Sequence, residues 1–280
     1  MIQFNSLSEA CIKAQRCAIT MGYRNLKMKL QFMSSIKLAA ISTRAPEAFD
    51  KKETKEKTLK ILEELDELQN LLYASSTNAL LVILQGMDAS GKDGVIRNVF
   101  GSMNPQGVYV RSFKVPTELE LSHDFLWRVH AVVPPRGMIG IFNRSHYEDI
   151  LVTRVHKWCD DETARKRMKA INHFESLLKV HNNTTILKFY LHISAEEQKE
   201  RLQERMTDPR KQWKYNKRDF TEADLREEYR RMYENCFEHC NTVPWTVIPS
   251  DQNWYKEYLI ATAVRDALVS MNMSYPSIKE

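Results

Sequence analysis

The sequence predicts an α/β P-loop protein: a three-layer sandwich around a mostly parallel sheet of about five strands. Three observations carry this. Leu80–Leu84 is an unbroken apolar run, as in strands buried on both faces of a parallel sheet. It leads directly into Gly86-x-x-x-x-Gly91-Lys92, after which Val95, Ile96, Val99 and Phe100 fall at helical spacing. Beyond this unit, strand-like apolar runs alternate with helical periods to the end of the chain.

The order strand, glycine loop, helix is the order that phosphate binding requires. Gly86, Gly91 and Gly94 let the loop, with Ala89 and Ser90 inside it, turn its N–H groups around an anion. The helix N-terminus adds partial positive charge and Lys92 adds a full one, with Arg97 further along the same helix. The residue after the lysine is normally Ser or Thr, whose hydroxyl binds Mg²⁺; here it is Asp93. Asp88, inside the loop, is the candidate oxygen ligand in its place. The plainer alternative is a tight strand-to-helix turn with an exposed lysine.

A chain of 280 residues, 43% hydrophobic and 28% charged, can bury a sizeable core. It has no apolar run of about 18 residues, so no membrane span is expected. Five cysteines without a CxxC pair argue against a disulfide framework and fit a reducing cytoplasm. Cys236, His239 and Cys240 fall on one helix, but without a fourth ligand they read as ordinary packing. The net charge of +5 is concentrated: residues 199–218 hold eight Lys/Arg against three acids, an excess equal to that of the whole chain. Such a cluster points to a polyanion, either nucleic acid or a chain of phosphates.

Residues 1–44, with seven Lys/Arg and only Glu9 acidic, read as a basic N-terminal extension. Residues 45–280 then form the P-loop domain. Phe49–Tyr73 predicts a helix with a stripe of Leu59, Leu62, Leu65, Leu68 and Leu72, packed on the sheet. Gly107–Phe113 predicts a strand stopped at Pro116, and Glu118–Val133 a helix. Pro134–Gly137 is a hard turn, and Met138–Phe142 a short strand. A helix from about Asp161 to His181 and a strand Thr184–His192 follow. Ser194 and Glu197 form a capping-box pattern opening another helix. The basic, aromatic-studded segment to Phe220 lacks apolar period and reads as a lid over residues 195–220. A helix from Thr221 to about Cys240, a strand Val243–Ile248 and a helix Asn253–Met271 complete the chain.

Ligands of open α/β sheets sit at the carboxyl ends of the strands, where Asn143–Asp149 and the Arg111–Lys114 segment fall. Asp88, Asn143, Glu148 and Asp149 are candidate oxygen ligands or substrate contacts around Mg²⁺. Asp149 is equally suited to capping the next helix. Arg144 offers a planar fork for phosphate oxygens, against the alternative of a structural salt bridge. His146 reads either as a phosphate donor or as a packed histidine. Arg201 and Arg205, four apart on one helix face, and Lys214 are the lid cations expected to cover the phosphates.

Seven stretches, taken together, resemble the polyphosphate kinase 2 family. They are Gln-Gly-Met-Asp-Ala-Ser-Gly-Lys-Asp-Gly (85–94), Met-Asn-Pro-Gln-Gly-Val (103–108), Ser-Phe-Lys-Val-Pro (112–116), Leu-Ser-His-Asp-Phe-Leu-Trp-Arg (121–128), Phe-Asn-Arg-Ser-His-Tyr-Glu-Asp (142–149), Trp-Lys-Tyr (213–215) and Pro-Trp-Thr-Val-Ile-Pro-Ser-Asp (244–251). The resemblance implies a thymidylate-kinase-like fold with a helical lid. It also implies Mg²⁺-dependent phosphoryl transfer, in either direction, between inorganic polyphosphate and nucleotides. Asp88, Lys92 and Arg144 match the family's loop aspartate, loop lysine and second-motif arginine, and Arg201, Arg205 and Lys214 match its lid basics. The 143–149 form is similar to the subgroup accepting both mono- and diphosphates, so AMP would become ADP and then ATP, with GMP and GDP as further acceptors. Some relatives carry Asp at the place of Asn143, which leaves Glu148 or Asp149 to serve as a second metal ligand. A homodimer or homotetramer is implied, without nucleic-acid or membrane partners.

Two other readings share parts of this pattern. An ATP-dependent nucleotide or small-molecule kinase would use the same loop without so basic a lid. A non-catalytic polyanion-binding module would keep the cations and lack turnover.

Overall fold

A computed structural model describes residues 36–277; the part of the basic extension before them lies outside the described residues. Five strands, β1 (Ala79–Gln85), β2 (Val108–Ser112), β3 (Ile139–Asn143), β4 (Thr184–His192) and β5 (Trp245–Pro249), form one sheet in the order β2-β3-β1-β4-β5. Every pairing is parallel. β1 sits at the centre and all seven of its residues are buried, which explains its unbroken apolar run. β2 is an edge strand whose last three residues are exposed.

Helix α1 (Lys51–Ser75) is capped by the Asp50 carboxylate, which accepts from Glu53 N at 2.8 Å, and ends at Ser76 in the left-handed region. Its buried stripe is Thr54, Ile61, Leu65, Gln69 and Leu72, whereas Leu59 is 62% exposed. The expected leucine row is thus rotated about the helix axis. The reason is its partner: α1 packs mainly on the last helix rather than on the sheet. Within this stripe Gln69 Oε1 accepts from Asn104 N at 3.2 Å, while its Nε2 has no partner among the described residues.

After β1 come α2 (Lys92–Phe100) and, beyond β2, two single-turn helices, α3 (Glu118–Leu121) and α4 (Trp127–His130), in place of the single helix expected over 118–133. A complete capping box between Thr117 and Glu120 closes the first turn. Asp124 then restarts the chain, its Oδ1 accepting from Leu126 N and its carbonyl from Trp127 N. A short turn α5 (Val152–Val155) precedes α6 (Asp161–His181), whose bounds match the expectation, as do those of β4.

Ser194 caps α7 (Ala195–Thr207), but Glu197 turns away to Arg201, so only half of the expected box forms. The expected helix from Thr221 divides at Leu225 into α8 (Arg218–Asp224) and α9 (Arg226–His239), and α10 (Asn253–Ser270) closes the chain. No helix among the described residues is long and apolar enough to cross a membrane. Residues 37–45, near the boundary expected for the extension, lie across the ends of β4 and β5. Ile41 O contacts His192 Nε2, Thr43 Oγ1 donates to Asp251 Oδ2 at 2.7 Å, and Ala45 N donates to Gln252 Oε1 at 2.8 Å.

The segment after β3 is held from beneath by a buried network. Lys188 Nζ donates to Tyr147 Oη at 2.7 Å, Glu175 Oε2 at 2.9 Å and Cys240 O at 3.0 Å, while Tyr147 Oη donates to Glu175 Oε1 at 2.6 Å. Burial alone would raise the Glu175 pKa; Lys188, His146 and Tyr147 outweigh it and hold the carboxyl below its ordinary range. Removing one partner strands the other charge in the core. Glu175→Ala should therefore lower unfolding free energy by about 3–5 kcal/mol, read by urea titration; a loss under about 1 kcal/mol would show the network to be dispensable.

Candidate active site

Because β1 and β3 are neighbours, the loop after β1 and the segment after β3 lie side by side at the carboxyl edge of the sheet. The loop backbone is bent at Gly86 (φ +148°), Ala89 (φ +63°) and Gly91 (φ +95°). A Cβ on Gly86 would meet Leu191 O at 2.9 Å, so neither the space nor the backbone admits a side chain there. Gly94, by contrast, faces open space.

Lys92 is buried and its Nζ donates to Gly86 O at 2.7 Å and Met87 O at 3.1 Å. Burial, helped by Arg144, lowers its pKa to about 8. Arg144, itself at positive φ, lies directly beyond β3, its N–H bonded to Leu84 O at 3.0 Å. Its guanidinium joins Asp88 Oδ1 at 2.5 Å and Glu148 Oε2 at 3.4 Å. Burial opposes the charge on Arg144, but Glu148 and Asp88 outweigh it and raise its pKa. Burial raises Glu148, with Arg144 and Lys92 pulling the other way. A cleft joins Gly86, Asp88, Arg144 and Glu148 to Val152, Tyr229 and Tyr233.

Asp93 ties three elements together. It accepts from Asn143 Nδ2 at 2.9 Å and from Lys214 Nζ at 2.6 Å. Burial opposes its charge, but these two bonds prevail and hold its carboxyl below the usual range. Lys214 thus brings the basic segment down onto the first turn of α2. Much of that segment's charge is matched locally: Arg205 pairs with Asp219, Arg210 with Asp208 and Lys211 with Glu204.

Not every expected site residue faces the loop. His146 is fully buried against Phe174 and Tyr147, its Nε2 3.9 Å from Glu175 Oε1 and neither ring nitrogen within hydrogen-bond distance of a partner among the described residues, so its place is in the packing beneath the site and not on the phosphate face. Burial lowers its pKa. Asp149 turns to Arg128 at 3.5 Å, and it lies outside the cleft that Asp88 lines. Arg201 spends its donors on Glu197, on Ala89 O at 3.1 Å and on Ser250 O and Asp251 O at 2.9 Å. It clamps the loop instead of covering it. Arg111 and Lys114 are exposed at and just beyond the end of β2, and Arg97 is exposed in the last turn of α2.

Residues outside the sequence-based set also converge here. Tyr229 and Tyr233, one turn apart on α9, wall the cleft, and Tyr229 Oη donates to Glu222 at 2.6 Å. Gln198 Nε2 donates to Asp88 O at 3.1 Å. The spacing of the two tyrosines is a legible signal; the approach of Gln198 is not.

A glycine loop between a central parallel strand and a helix, with a lysine and an arginine beside it, defines a P-loop phosphotransferase. Similarity to known proteins specifies which. The family model described as Polyphosphate kinase 2 matches residues 48–276. The chain is 48% identical over 214 residues to the AMP/ADP-polyphosphate phosphotransferase of Meiothermus ruber, covering 76% of this chain and 80% of the relative. It is 41% identical over 229 residues to the ADP-polyphosphate phosphotransferase of Rhodopseudomonas palustris, covering 77% and 79%. The crystal structure of Polyphosphate Kinase 2 from Arthrobacter aurescens TC1 superposes with a TM-score of 0.85 at 39% identity, covering 90% of this chain and 91% of that one. The chain belongs to the polyphosphate kinase 2 family and is a polyphosphate kinase.

Proposed function

We propose that this enzyme transfers the terminal phosphoryl group of inorganic polyphosphate to AMP and to ADP, with GMP and GDP as further acceptors, and that it runs in both directions. The observation that carries this reading is the convergence of Lys92, Arg144 and Lys214 on one strand edge, with the exposed cations Arg111 and Lys114 at the end of neighbouring β2. Two phosphate chains must be held end to end there, and their repulsion has to be offset.

In this reading a terminal phosphate oxygen of the nucleotide attacks the end phosphorus of the polyphosphate in line. A P–O bond forms to the acceptor as the bond to the bridging oxygen breaks, and the donor leaves one phosphate shorter. Lys92 and Arg144 stabilise the transferring group. Asp88 orients Arg144 through their short contact. Lys214 holds the lid against Asp93, excluding water from the transfer.

The loop carboxylate Asp88 fits Mg²⁺. No group of three or more acidic, His or Cys ligands occurs among the described residues. Mg²⁺ bound through one or two carboxylates and substrate phosphates needs none. Asp88 would supply a carboxylate, with Asn143 alongside and the unpartnered Ser90 Oγ within the loop, while both oxygens of Asp93 are taken by Asn143 and Lys214. When bound, the ion would offset charge on the phosphate oxygens.

Incubation of AMP, Mg²⁺ and polyphosphate without ATP tests the reading: ADP should appear, followed by ATP. No product without ATP would favour an ATP-dependent kinase; polyanion binding without any turnover would favour a binding module. Glu148 lies where the acceptor would meet Arg144. Glu148→Asn should change the ratio of AMP to ADP rates several-fold, about 1 kcal/mol of discrimination. An unchanged ratio would remove Glu148 from acceptor selection.

A further inference from the structure

The carbonyl groups of Gly86 to Ser90 in the phosphate loop are each held by a side chain. Lys92 takes Gly86 O and Met87 O, Gln198 takes Asp88 O, Arg201 takes Ala89 O, and Lys256 Nζ takes Ser90 O at 3.2 Å. The last three donors come from outside the loop, from α7 and α10. In a planar trans peptide the C=O and the following N–H point in opposite directions. Pinning Asp88 O and Ser90 O therefore sets the direction of the Ala89 and Gly91 N–H groups. The Ser90 N–H closes a turn onto Met87 O.

Lys256 is the unexpected member of this set. It lies on a helix whose buried side is otherwise largely apolar, and its side chain is fully buried. Its other contact is Asn253 Oδ1 at 2.8 Å, a neutral group. It makes no salt bridge among the described residues. Its Nζ would be 2.2 Å from a Cβ placed on Gly91, so Gly91 leaves the room that the ammonium occupies. Burial, with Arg201 nearby, lowers its pKa to about 7. A buried ammonium without a carboxylate is costly, and an apolar side chain of equal length would pack there without that cost.

We propose that Lys256 is a positioning residue for phosphoryl transfer, fixing the Ser90–Gly91 peptide so that the Gly91 N–H faces the phosphate. The proposal rests on the polyphosphate-dependent reading above. Ser90 O is the atom it acts on, and the donor phosphate is the group that senses the result. Without it the loop loses one restraint at the turn into α2, where Gly91 has the freedom to rotate its peptide.

The test compares wild type, K256M and K256Q in the full chain, with polyphosphate as donor and AMP as acceptor. Thermal midpoints and tripolyphosphate binding by calorimetry are measured alongside. K256M keeps length and removes the donor; kcat should fall on the order of 100-fold, with KM for AMP within about twofold, since in the reading above the acceptor meets Arg144 and Glu148 and not Ser90. K256Q keeps a neutral donor and should recover part of the loss. A shift in midpoint with kcat and KM at wild-type values would mean that Lys256 only fills space, and would overturn the proposal. Should K256M fail to fold, K256Q decides: wild-type kcat there overturns it, and a fall of about tenfold or more supports it. Absence of transfer by the wild type overturns the functional reading and this inference with it; transfer with equal kcat in the folded variants overturns this inference alone.

Discussion

Lys92→Ala should reduce kcat with polyphosphate by about 10²–10³-fold while leaving the fold in place. The ammonium sits at the mouth of α2, held by two carbonyls of the loop it serves. Charge develops on the phosphate oxygens as the group transfers, and a fixed cation there stabilises the transition state more than the ground state. Its hydrogen bonds go to carbonyls and not to a carboxylate, so its removal breaks no salt bridge, and circular dichroism should be unchanged. Full activity in this variant would refute the loop assignment. The same charge gives a pH signature. Its pKa of about 8 means the ammonium is present below that value and lost above it, so KM for polyphosphate should rise as pH passes through 8.

Arg144→Ala should lower kcat by a similar about 10²–10³-fold, for a different reason. Arg144 bridges Asp88 and Glu148, so its loss removes a phosphate fork and leaves two carboxylates facing each other. Both would repel the incoming phosphates. Arg144→Lys should recover only part of the activity, because a single ammonium cannot span both carboxylates and a phosphate as a planar fork can. Equal kcat in Arg144→Lys and wild type would show that point charge, and not fork geometry, is what counts at this position.

Much of this molecule is legible in its residues. β1, β4 and α6 are readable because each is long, strongly patterned and bounded by turn or cap residues. The order strand, glycine loop, helix is enough by itself to put Lys92 and Asp88 at the carboxyl edge of the sheet. Errors arise where a local signal competes with a longer period. Thr117 and Glu120 interrupt a helical pattern that otherwise runs on to Val133. Leu59 fits the leucine row yet is exposed, because the partner of α1 is another helix. His146 shows a different limit: its motif reads as polar strand-end chemistry, but the chain turns it into the core. Arg201 carries the right charge for a lid. Apart from Glu197, four residues back on the same helix, its partners are backbone carbonyls brought to it by folding, which no spacing announces.

The stretch crossing β4 and β5 has a practical corollary. Asp251 receives Thr43, accepts from Ser194 N at the start of α7, and offers its own carbonyl to Arg201. A shortened version trimmed back to Pro46 would keep every residue of the reaction centre. It would nonetheless unfasten one end of a tether that reaches Ala89 through Asp251 and Arg201, so a catalytic deficit could be engineered unwittingly at the bench.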